Sequence, residues 1–136
     1  MSSRLFISVA ILVASATVSC LAQQFKNYPG AKQDEKASRE ASAATPSKQS
    51  EVYTTADGFD KVSEFYRRIY KEYSMPGRGG PKLPSGQQVQ WAFFILDGGK
   101  TLADSQYWMK VQRPYVGGAD GQDIRDETVI QTVRNK

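Results

Sequence analysis

Gln87-Gln88-Val89-Gln90-Trp91-Ala92-Phe93-Phe94-Ile95-Leu96 is the stretch on which the fold turns. Val89, Trp91, Phe93 and Ile95 alternate with Gln90, Ala92, Phe94 and Leu96, so the C-terminal half of the run is apolar on both sides of an extended backbone. That pattern marks a central strand. Asp97-Gly98-Gly99-Lys100 is a turn signal, and beyond it Tyr107, Met109 and Val111 alternate with Trp108, Lys110 and Gln112 in a further strand that Pro114 stops or bends. A second glycine loop, residues 117–121, leads into residues 128–134, where Val129 and Val133 alternate with Thr128, Ile130 and Thr132. These residues read as the last strand.

Upstream, Glu51-Val52-Tyr53-Thr54-Thr55 is a β-branched and aromatic run that reads as the first strand. Asp57 then stands where a carboxylate can cap a helix, and Asp60 adds negative charge near its N-terminus. Phe59, Val62, Phe65, Tyr66, Ile69, Tyr70 and Tyr73 recur at spacings of three and four, which predicts one long amphipathic helix ended by Ser74-Met75-Pro76-Gly77. Residues 77–86 are too rich in glycine and proline for helix or central strand. They match neither the Walker pattern nor G-x-G-x-x-G and read as a surface loop. The order is β-α-β-β-β. It predicts an α+β fold, a three- or four-stranded, largely antiparallel sheet with the helix packed on one face.

Residues 31–50 are mostly Ala, Ser, Lys and Glu with almost no bulky apolar side chain, so they are expected to form a flexible linker over 23–50 ahead of a domain at 51–136. Residues 1–22 read as a secretory signal peptide: Arg4 precedes an uncharged apolar stretch over 5–18 that is too short to span a bilayer. Two processing routes are open. Cleavage after Ala22 would give a secreted chain. Ala16-Thr17-Val18-Ser19-Cys20 resembles a lipobox, in which Cys20 would carry a lipid anchor. The expected location is periplasmic or extracellular, with membrane contact only through the leader or a lipid on Cys20.

The 136 residues contain no histidine and one cysteine. Histidine-based acid/base catalysis, Ser-His triads, Cys-His dyads and His-ligated metal sites therefore cannot be built from this chain alone. The net charge of +4 falls by one without Arg4, and much of the excess lies ahead of residue 51, so the chain does not read as a nucleic-acid binder. Asp97 and Arg113 are the first polar residues to consider for chemistry, although an Asp in a turn usually bonds its own backbone. Asp120, Asp123, Asp126 and Glu127 lack the spacing of a calcium loop and read as solvated. Tyr107, Trp108 and Tyr115 form an aromatic platform or fill the core. Neither a cofactor nor a metal site is expected.

Several blocks carry a resemblance. Tyr28-Pro29-Gly30-Ala31, Val52-Tyr53-Thr54-Thr55-x-Asp57 and Val62-x-x-Phe65-Tyr66 resemble segments of small uncharacterised bacterial secreted proteins and lipoproteins. Trp91 to Gly99, Gln112-Arg113-Pro114-Tyr115 and Asp123-Ile124-Arg125-Asp126 look like further blocks of that group. The resemblance implies export and a shared fold, and it carries over no catalytic residue. The expected function is a non-enzymatic binding module of the cell envelope, with a small enzyme using Asp, Tyr and Arg chemistry as the alternative. With the helix over Trp91, Phe93 and Ile95, the opposite residues Ala92, Phe94 and Leu96 would lie bare. Together with Asp97 and Arg113 they make the expected binding surface, covered by residues 25–28, a second copy, an envelope protein or a small apolar ligand.

Overall fold

The computed structural model describes residues 24–74 and 79–136. The leader expected over 1–22, Cys20 with it, and the proposed helix stop at Met75-Pro76-Gly77 lie outside the described residues. The described elements run β1 (Lys32–Gln33), α1 (Glu35–Ala44), β2 (Lys48–Thr55), α2 (Phe59–Arg67), β3 (Lys71–Tyr73), β4 (Gln90–Ile95), β5 (Tyr107–Arg113), β6 (Tyr115–Gly117), β7 (Asp123–Arg125) and β8 (Thr128–Asn135). Six strands form one antiparallel sheet in the order β1-β2-β8-β5-β4-β3, and β6 and β7 pair separately. This overturns the expected three- or four-stranded sheet under one long helix. The described residues are mostly sheet, with two short helices among them.

The predicted helix ends early. Its apolar spacing continues through Tyr70 and Tyr73, yet after Arg67 the chain turns and Lys71–Tyr73 pairs with Phe93–Ile95 as β3. Pairing with an open strand edge satisfies backbone groups that a continued helix would leave unpaired on β4, so tertiary context overrides the periodicity. Asp57 is not the cap either. Gly58 holds that position without a side-chain bond, and the Asp57 carboxylate instead accepts from the Tyr28 hydroxyl at 2.5 Å.

The expected linker is an integral part of the sheet. Asp34 caps α1 by accepting from the Ala37 amide at 2.9 Å. The small residues of this helix let it lie close along β2, where hydroxyls take the place of a neighbouring strand. The Ser38 hydroxyl accepts from the Val52 amide at 2.9 Å, and the Ser42 hydroxyl both accepts from the Ser50 amide at 3.0 Å and donates to its carbonyl at 3.1 Å. The Asp34 amide donates to the Val52 carbonyl at 2.8 Å. Composition alone showed no core-forming stripe because polar stitching, with Ala37 and Ala41 in support, holds this helix.

The two faces of the sheet carry two cores. On one, α2 lays Val62 and Tyr66 over Ala92, Phe94, Leu96, Met109, Val111 and Ile130, joined by Tyr28. Tyr28-Pro29-Gly30-Ala31 is a tight turn: the Ala31 amide donates to the Tyr28 carbonyl at 3.0 Å, and Gly30 takes φ +83°, which favours glycine. The turn drops the Tyr28 ring edge-on to Phe65, with centroids 5.2 Å apart. Thus the three resemblance blocks around Tyr28, Asp57 and Phe65 meet in one packed cluster. On the other face, α1 and Tyr115 pack on Val52 and Val129.

Candidate functional site

The expected binding surface is not a surface. Ala92, Phe94 and Leu96 are buried, and it is these residues, not Trp91, Phe93 and Ile95, that lie on the α2 side. The run is apolar on both faces, so alternation alone could not choose the side. Residues 25–28 do fold back onto this core, with Phe25 stacked on Tyr66 at 5.9 Å between centroids. The reason for a second copy or a ligand at Phe94 therefore falls away.

Asp97 and Arg113 lie at opposite ends of β4, since Asp97 stands two residues beyond its last, Ile95, and Arg113 pairs with its first, Gln90. Both are structural. The Asp97 carboxylate accepts from the Ser105 hydroxyl at 2.7 Å and from the amides of Gly99, Gln106 and Tyr107. Desolvation opposes its ionisation, but these four bonds together hold its carboxyl below the ordinary range. Arg113 donates to the carbonyls of Ala56, Asp57 and Asp126, to the Thr128 hydroxyl and to the Asp126 carboxylate, tying three chain segments together.

The other residues singled out by sequence also disperse. Tyr107 lies beneath Arg134 on the α2 side, Trp108 lies on the opposite face, and Tyr115 stacks under Arg125 at 3.8 Å. They form no single platform. Of the acidic residues after the glycine loop, Asp123 and Glu127 pair with Arg125 and Asp126 pairs with Arg113. Among the described residues, no group of three His, Cys, Asp or Glu is placed to hold a metal ion.

A groove that sequence reasoning did not identify lies on the face opposite α2. It encloses about 470 Å³ between α1 and the β6–β7 hairpin. Its floor is the sheet: Val52, Val129, Gln131, Lys110 and Gln112. Ala37, Ala41 and Ala44 of α1 make one wall, and residues 115–119 the other. Gly117 is required there because a Cβ would overlap the Tyr115 ring. Register fixes the floor. Tyr73, Phe93, Lys110, Gln131 and Val52 stand side by side across five strands, so Lys110 lies between an aromatic and an amide near the middle of the sheet.

Arg125 stacks on Tyr115, one of the residues that line this groove. Its guanidinium meets Glu127 and Asp34 at 3.1 Å each and Asp123 at 3.5 Å, joining the hairpin to the cap of α1. The Ala37 amide, with further help from Arg125, holds the Asp34 carboxyl below its ordinary value. A lowered folded-state pKa gives stability that is present above the unfolded carboxyl value, about 3.9, and is lost as pH falls through the folded value. Asp34→Ala should therefore cost about 1–2 kcal/mol at pH 7, from the cap and the ion pair. Urea unfolding should show the difference between the two proteins constant near neutral pH and shrinking as pH falls below the unfolded carboxyl value, about 3.9, and on through the lower folded one.

Lys110 is the unusual group of the floor. No hydrogen bond or ion pair to its ammonium occurs among the described residues, and burial lowers its pKa. The neighbouring amides are partly engaged: Gln112 donates to the Pro114 carbonyl at 3.2 Å and Gln131 to the Ser50 hydroxyl at 3.5 Å. The chain matches no protein-family model, no curated protein and no solved structure in the comparisons made.

Proposed function

We propose that this protein is an exported binding module whose groove between α1 and the β6–β7 hairpin takes a small, largely apolar ligand. The observation that carries this reading is the groove itself. Its volume of about 470 Å³ lies within the range of small-molecule sites, roughly 300–1,000 Å³, and alanine and valine side chains supply much of the lining. Convergent catalytic groups have no support in the geometry, since Asp97 and Arg113 are far apart and spent on backbone contacts. Export rests on the leader expected at 1–22. Among the described residues, no helix is long and apolar enough to cross a membrane.

The neutral apolar dye N-phenyl-1-naphthylamine tests the groove. Wild type should bind it with a rise in dye emission, and Ala41→Phe, which places a ring between the walls, should weaken binding at least tenfold. Equal binding by the variant, or no binding by wild type, would remove the basis of this reading.

A further inference from the structure

We infer that the groove selects amphipathic anions, with the Lys110 ammonium receiving a carboxylate head and the alanine-lined wall of α1 receiving the apolar tail. This rests on the groove being a binding site and adds the class of ligand. Lys110 stands on an interior strand, flanked directly by Phe93 and Gln131, and lines the groove floor. Lys110 is half-buried, so its ammonium gives up part of its hydration on this floor, and a carboxylate partner would offset that loss. None is supplied from among the described residues.

The acid that lines the groove, Glu40, does not fill that role. It pairs with Lys36 at 3.8 Å along α1, and its side chain is 45% exposed. Lys110 is thus the one charged side chain on a floor otherwise made of amides and apolar groups. A carboxylate fits it better than a neutral head, and the amides of Gln112 and Gln131 stand on either side to orient it. An apolar tail would then run along Ala37 and Ala41, the same wall that holds the dye in the test above.

Three eight-carbon probes separate the possibilities: octanoate, octanol and octylammonium, followed through the emission of Trp108 and Trp91, which share this face with Lys110. In wild type octanoate should bind at least tenfold more tightly than octanol, the margin of a charge-assisted bond, and octylammonium most weakly. Lys110→Met, which keeps the apolar stem, should bring octanoate down to the affinity of octanol while leaving octanol unchanged. Lys110→Arg should restore the preference. Equal affinities for octanoate and octanol in wild type, or an unaltered preference in Lys110→Met, would overturn the anion inference and leave the apolar groove standing. Failure of all three probes to bind would overturn both.

Discussion

A chain beginning at Glu51 should fail to fold cooperatively. Composition placed a domain boundary there, but the cut removes β1, α1 and the first three residues of β2. It also takes Tyr28 and Phe25 from the core beneath α2 and Ala37 and Ala41 from the core on the opposite face. Burial of one large side chain contributes roughly 1.5–3 kcal/mol, and the whole stability of a small domain is about 5–15 kcal/mol. Losing two aromatics, a helix and their hydrogen bonds together should exceed what is left. Thermal denaturation of the 51–136 fragment should show no sigmoidal transition. A transition near that of the full chain would mean that residues 24–50 are an appendage after all.

Phe94→Ala should be the most damaging single substitution among the residues first considered for binding. Phe94 is fully buried, packs 6.1 Å from Tyr66 between ring centroids, and pairs across the strands with Met109 and Glu72. Truncating such a side chain costs about 3–5 kcal/mol through lost burial and the cavity that remains. Calorimetry should show the melting temperature lowered by roughly 10–20 °C. A change in oligomeric state with unchanged melting would instead restore Phe94 to a docking role.

Sequence pattern located the long strands well where β-branched and aromatic residues run between turn signals, as at 107–112 and 128–134. It failed where two signals coincided. Tyr70 and Tyr73 continue a helical spacing and also suit a strand, and the open edge of β4 decided between them. The helix at 35–44 was illegible for a different reason. Its anchoring is done by Ser38 and Ser42, and serine hydroxyls bonding a strand edge leave no trace in a hydropathy pattern. The candidate site was hidden likewise. Lys110 was read simply as a polar residue on one side of a strand; only when α1 and the hairpin are known to cover that side does its solitary charge stand out.

The serine contacts between α1 and β2 also bear on how the molecule behaves among its own copies. Beyond the two residues paired with β1, the outer margin of β2 would be a row of free amides and carbonyls, a template on which another chain could extend the sheet. Side-chain hydroxyls occupy Ser50 and Val52 there without offering a backbone register of their own. At the far side of the sheet the last strand is only three residues long and carries Lys71 and Glu72, which blunts that margin by brevity and charge. The same helix is therefore a wall of the groove and a guard against cross-chain pairing. Anything that lifted α1 from β2 would uncover that margin, so the helix's seat on the sheet bears on solubility as well as on the shape of the groove.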